Sequence, residues 1–498
     1  MAPMRRHILA ALLLCLVVIA GVPHGAVDAQ SDATVTILHI NDVYEINAIE
    51  GGRYGGLSRA ATVLQQLERL RSPVLMTLGG DYLSPSAIGT AIVDGQPLAG
   101  RQMVDVLNHV GLDWAVLGNH EFDVSEAAFR ARLAESRFRV VSSNVSDLKG
   151  QPFPGTVRSA VVPVQAGART IRLGLIGLTI DSSRRPWVMY SPPVDAARDQ
   201  IAQLAGKVDA IIALTHLSLA GDQDLVTQVP DIDLVLGGHE HENWLLHRGP
   251  RFTPIIKADA NVRTVAVVSL TFGGANTRPA VTSRFELVDA SIRSDSIVDG
   301  VVKKWTAIAF DAFRKNGLQP ERVVAVVTES LDGRESTVRN QPGRLTDLIT
   351  ASFDREAGGV DVALMNGGSV RIDDLVQAGP ITEYDVIRIL PFGGRITRAA
   401  IDGAVLASIL DIGVTNRGTG GYLHMRGATR DGSRWMIQGK PLDVTARYTV
   451  ALTDFLMSGG ETNLGFLTRT NPAVHDVQDL RDVRLALIAE LRAQYAAK

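Results

Sequence analysis

One cysteine, Cys15, is all the thiol chemistry this 498-residue chain possesses. Without it a mature protein has no disulfide, no thiolate nucleophile and no zinc–thiolate site, so any metal must be held by His, Asp, Asn or similar donors. Long apolar runs are missing too. The stretch Ile8 to Ala20 holds 13 residues, against the roughly 20 that a membrane-spanning helix needs. Arg5-Arg6 before it and Val27-Asp28-Ala29 after it give residues 1–29 the layout of a secretory signal peptide cleaved after Ala29, so a secreted or periplasmic protein with no stable membrane anchor is expected. A basic excess is also absent. Removing Arg5, Arg6 and Asp28 leaves 48 basic against 52 acidic residues, which gives no electrostatic reason to expect nucleic acid as a partner. The glycine run at 51–56 is not followed by Gly-Lys-Ser/Thr and lacks dinucleotide spacing, so it reads as a turn and not as a phosphate cradle.

What is present is a repeating arrangement of strand, polar turn and helix. The length allows two or more domains, and the composition, 46% hydrophobic and 21% charged, is that of an ordinary globular protein. Thr34 to Ile40 reads as a strand that ends in Asn41-Asp42-Val43-Tyr44, with Asp42 and Tyr44 on one side. Helices are expected over Leu57 to Leu70 and Met103 to His109. Val74 to Leu78 ends in Gly79-Gly80-Asp81, and Trp114 to Leu117 ends in Gly118-Asn119-His120-Glu121-Phe122-Asp123. Ala210 to Leu214 leads to Thr215-His216, and Leu234 to Leu236 to Gly237-Gly238-His239-Glu240-His241. Open α/β sheets place their chemistry at the carboxyl ends of strands. Five such ends, each carrying a hard oxygen or imidazole donor, point to a two-metal phosphoesterase site.

These motifs resemble the calcineurin-like metallophosphatase domain, and the whole mature chain is similar to the secreted 5′-nucleotidase family, which includes UDP-sugar hydrolases and 2′,3′-cyclic-nucleotide phosphodiesterases. The resemblance implies an α/β protein: a four-layered α/β/β/α sandwich over residues 31–290, a connector helix and hinge over 291–320, and a second α/β substrate-binding domain over 321–498. It implies two divalent ions, zinc, manganese or iron, held by Asp42, Asp81, Asn119, His216, His239 and His241, with Asp81 as the bridge. His120, oriented by Asp123, is expected to face the developing charge at phosphorus. In the second domain, Asn366, Arg371, Phe392, Phe455 and Glu461 match the nucleoside-binding loops, the two phenylalanines as a clamp on the base.

Three positions depart from that family's pattern. Tyr44 stands where it usually has the His of Asp-x-His, as a metal ligand or as a support behind the ligands. Gln341 stands where it usually has a substrate Arg, with Arg339 and Arg344 as the nearby replacements. Glu461 stands where Gly-Gly-Asp usually supplies an aspartate. The reading is a secreted phosphohydrolase that releases phosphate from a small-molecule nucleotide. Its alternatives are the same centre acting on cyclic nucleotides, sugar nucleotides or a sulfur ester, and a degenerate protein that binds nucleotide or metal without turnover.

Overall fold

A computed structural model describes residues 33–70, 72–274 and 277–495; Cys15 and the leader read over residues 1–29 lie outside them. The first strand, Ala33–Ile40, shows how the sequence builds layers. Its side chains alternate, so Val35 and Ile37 enter a core between two sheets, while Leu38 and Ile40 enter a core under helices. That double burial explains why the strand is apolar or β-branched almost throughout.

Seven strands form its sheet, in the order Thr156–Val157, Arg139–Val141, Trp114–Val116, Val74–Leu78, Ala33–Ile40, Thr264–Phe272 and Ala280–Leu287. The three strands Ala33–Ile40, Val74–Leu78 and Trp114–Val116 are mutually parallel. A six-stranded sheet packs against it, with Arg169–Thr179, Ala210–His216 and Leu234–Gly237 parallel at its centre. Trp114, Leu173, Ile212 and Val268 fill the space between the sheets. Leu57–Glu68, Arg101–Val110 and Ser296–Lys315 cover one outer face; Pro193–Leu204 and Leu219–Gln228 cover the other. These are the expected four layers.

A helix lies within the stretch 291–320 read as connector and hinge. Ser296–Lys315 starts where Asp295 caps it by accepting hydrogen bonds from the backbone N–H groups of Ile297 and Val298. A polar stretch that reads as linker thus contains a helix start. Val302, Trp305 and Phe313 are buried, and the Trp305 indole donates to Asp105 at 2.8 Å. The helix is therefore packed onto the first sheet's helical layer.

The second unit is a five-stranded sheet in the order Leu423–Arg426, Val362–Asn366, Arg447–Thr453, Arg395–Asp402 and Val474–Asp482. Arg344–Glu356 and Val483–Gln494 cover one face, and Gly403–Thr415 the other. Alternation along Val362–Asn366 divides its side chains between the two cores.

Candidate metal centre

The five strand ends converge. Asp42, Asp81 and His216 are fully buried or nearly so and place one donor atom each within 4.8 Å of one another. His216 Nε2 lies 3.1 Å from Asp81 and 3.9 Å from Asp42. Its Nδ1–H donates to the Gly79 carbonyl at 2.7 Å, which leaves Nε2 to face the carboxylates. His241 Nε2 is 3.2 Å from Asp42 Oδ1. The His239 ring stands 5.3 Å from that of His216, and its backbone N–H donates to Asp42 Oδ2. The backbone N–H of His120 donates to Asp81 Oδ1 at 2.8 Å.

Strain marks the same positions. Asp42, Asp81, His239 and His241 have φ of 52°, 57°, 91° and 60°, a left-handed region that costs non-glycine residues of the order of 1–3 kcal/mol each. Glycine makes the approach sterically feasible: a Cβ on Gly118 would fall on Asp81 Oδ1, and one on Gly238 on the Gly79 carbonyl.

The electrostatics of the cluster follow from burial and from the closeness of its charges. Burial alone would raise Asp42, but the imidazoles of His241 and His216 outweigh it and hold its carboxyl below the usual range. Burial opposes charge on His216, yet Asp81 and Asp42 push it up to about 9. Burial, reinforced by the neighbouring His216, lowers His239 to about 3, so its ring stays neutral. Among the described residues, the buried polar atoms without a hydrogen-bond partner include Asn119 Oδ1 and His216 Nε2. Buried polar atoms are rarely left so, and both belong to the expected ligand set. Imidazole, amide and carboxylate donors together suit a divalent zinc, manganese or iron ion. The site therefore fits the metal chemistry that the sequence implies.

Tyr44 sits inside this cluster. Its hydroxyl is 3.3 Å from Asp42 Oδ1, 3.2 Å from Asp81 Oδ2 and 3.0 Å from His241 Nε2. Burial and the adjacent carboxylates of Asp81 and Asp42 raise its pKa well above the usual phenol value.

His120 and Asp123 form a second group at the edge of the cluster. Nδ1–H of His120 donates to Asp123 at 2.5 Å, and Asp123 is held from behind by Arg185 at 3.0 Å. The other ring nitrogen accepts from Arg371 of the second unit at 3.3 Å. A cavity of about 630 Å³ opens from this point, lined by His120, Asn366, Arg371, Phe392, Phe455 and Glu461. Phe392 and Phe455 are 53% and 46% exposed, so neither is a core side chain. Asn366 is tied to Glu461 at 2.8 Å, and the Arg371 guanidinium lies 5.7 Å from the Phe392 ring centre.

The two replacements considered for Gln341 lie outside that cavity. Arg344 binds the Tyr495 hydroxyl and Gln494, and Arg339 pairs with Glu335 beside His239 and His241. Neither lines the cavity that holds the two phenylalanines.

Two supporting residues take their roles from the fold. Glu121 accepts backbone N–H groups from Gly118, Asp81, Tyr82 and Leu83, pinning two of the strand ends together. Lys257, fully buried, donates to the carbonyls of Leu217 and Gly238 and pairs with Asp222 and Glu240, bracing the loop that carries His239 and His241. Most of their partners are distant in sequence, and the fold brings them together.

Comparison with known proteins follows the same division of the chain. The family model for calcineurin-like phosphoesterases matches residues 35–243, and that for the 5′-nucleotidase C-terminal domain matches residues 323–468. A 5′-nucleotidase of Vibrio cholerae is 26% identical over 91% of this chain and 90% of its own length. Protein UshA of Yersinia enterocolitica is 25% identical over 89% of each. Among solved structures, a 5′-nucleotidase precursor from Thermus thermophilus superposes with a TM-score of 0.77 at 22% identity, covering 93% of this chain and 97% of that one.

Proposed function

We propose that this chain, which matches the calcineurin-like phosphoesterase model over residues 35–243 and the 5′-nucleotidase C-terminal domain model over residues 323–468, is a dinuclear-metal phosphohydrolase acting on nucleoside phosphates. The observation that carries this reading is the meeting, at His120, of a buried donor cluster from one unit and a cavity bearing two exposed phenylalanines from the other.

Asp42 and His241 would hold one divalent ion, Asn119, His216 and His239 a second, with Asp81 between them. Ions held there would supply Lewis acidity and draw the pKa of water from about 15.7 toward neutrality. The chain's own residues do the rest. Phe392 and Phe455 stack on the base, each such contact being worth about 1–3 kcal/mol. Arg371 reaches from the nucleoside cavity to His120 and so faces the phosphoryl group. His120, with its Nδ1–H held by Asp123, would as the imidazolium carry a second proton on Nε2 and donate it to the leaving ester oxygen. It acts on the leaving group in hydrolysis, a role worth on the order of 10²–10⁴-fold. The leader read over residues 1–29 supports action outside the cytoplasm, and among the described residues no helix is long and apolar enough to cross a membrane.

Tyr44 and Gln341 favour a second reading, binding without turnover. One experiment separates the two: phosphate release by the purified mature protein, with its metal content measured, on a panel of nucleoside monophosphates, a 2′,3′-cyclic nucleotide, a nucleotide sugar and glycerol phosphate. Metal-dependent release from the monophosphates, abolished by a chelator and restored by added ion, is the expected result. A protein that binds nucleotide and releases nothing above background would establish the second reading.

A further inference from the structure

The segment Arg371 to Asp374 belongs to the second unit, yet its side chains reach three places in the first. Arg371 lies against His120. Asp374, buried, accepts from the Glu50 backbone and pairs with Arg263 of the first unit, while Arg388 pairs with both Asp374 and Glu45. Asp373, between them, takes the Nδ1–H of His241 on its Oδ2 at 2.6 Å. Its Oδ1 accepts from the Glu335 backbone at 2.8 Å, and its φ of 40° is again left-handed. Neither Asp373 nor His241 has more than about a tenth of its side chain exposed.

A histidine has two ring nitrogens, and the hydrogen bond made by one decides what the other can do. With Nδ1–H committed to Asp373, the Nε2 lone pair of His241 is turned toward Asp42 and Tyr44. A carboxylate behind a ligating imidazole commonly tunes metal affinity by 10–100-fold. Glu335, at 3.7 Å from the same nitrogen, is too far for a direct hydrogen bond. We propose that Asp373 is a positioning residue through which the second unit completes the metal centre of the first: docking of that unit sets the tautomer and orientation of His241. This rests on the reading of His241 as a ligand. By linkage, ion binding at that site must stabilise the docked arrangement to the same extent.

The test is titration of the metal-free, full-length mature protein with Zn²⁺ against a chromogenic chelator. Wild type is expected to take up two ions. Asp373→Ala should bind one of them 10–100-fold more weakly and the other unchanged, while Asp373→Asn, whose amide oxygen still accepts from Nδ1–H, should recover most of the loss. Arg388→Gln touches none of the proposed ligands, but by loosening the interface it should weaken the same ion and leave the other. Two ions bound by Asp373→Ala with wild-type affinity would overturn the proposal and leave the metal reading standing. Equal weakening of both ions together with a lowered unfolding temperature would also overturn it, as a purely structural effect. A wild-type protein that binds no divalent ion would instead remove the metal reading itself.

Discussion

Tyr44 is the residue at which this chain departs furthest from its expected ligand set, and its placement assigns it a task. A hydroxyl about 3 Å from two carboxylates and an imidazole can donate to only one of them at a time, and a hydrogen bond to a charged acceptor is worth about 1.5–3 kcal/mol. Acting as such a donor, Tyr44 orients the carboxylates of Asp42 and Asp81. Tyr44→Phe should therefore keep both ions and lose about tenfold in kcat/KM, the equivalent of roughly 1.4 kcal/mol. Tyr44→His should tighten the ion beside Asp42, as read by metal titration. A visible charge-transfer band in iron-loaded protein that disappears in Tyr44→Phe would contradict this and make the phenolate a ligand.

At the scale of elements, the site depends on how closely two sheets can bring their strand ends together. His39, on the first strand, is one of the links: its Nε2–H donates to the Gly237 carbonyl at 3.0 Å, and its Nδ1 accepts from Thr77 at 2.9 Å. Burial, the dominant cause, lowers its pKa to about 4, against about 6.5 when unfolded. Between these values the unfolded chain binds a proton that the folded chain refuses, so stability falls as pH drops from about 6.5 to about 4. The full loss is roughly 3 kcal/mol, at about 1.4 kcal/mol per pH unit. Urea unfolding of metal-free protein across this range should show that loss. His39→Gln, which cannot titrate, should remove its share of the slope; an unchanged slope would exclude His39 as the source.

For the whole molecule, the decisive question is whether the two units work on one substrate. Phe392 and Phe455 stand in one unit and the donor cluster in the other, with His120 and Arg371 as the junction. Replacing either phenylalanine by Ala should lower kcat/KM for a nucleoside monophosphate by about 1–3 kcal/mol of stacking energy and leave glycerol phosphate hydrolysis nearly unchanged. Their exposure argues against a core role, which would cost about 3–5 kcal/mol of stability on truncation to Ala. Equal losses on both substrates would end the nucleotide assignment and spare the phosphoesterase centre.

Strand periodicity and the donor residues that follow each strand made the layered fold and the cluster of Asp42, Asp81, Asn119, His216, His239 and His241 legible in the sequence, because both are local patterns. An apolar run bounded by glycine specifies a strand and its polar end without reference to any other part of the chain. What the tertiary structure alone decided is which distant groups meet those ends. The sequence separation between His241 and Asp373 is 132 residues, and Lys257 and Arg185 carry no motif. Their roles arise from backbone N–H groups, carbonyls and ring nitrogens that must find partners once buried. The left-handed backbone at Asp42, Asp81, His239 and His241 was largely hidden, since Asp and His, though enriched at positive φ, adopt it in only a minority of places. Local chemistry thus named the candidate donors, and the packing of two sheets and a second unit determined how those side chains are held.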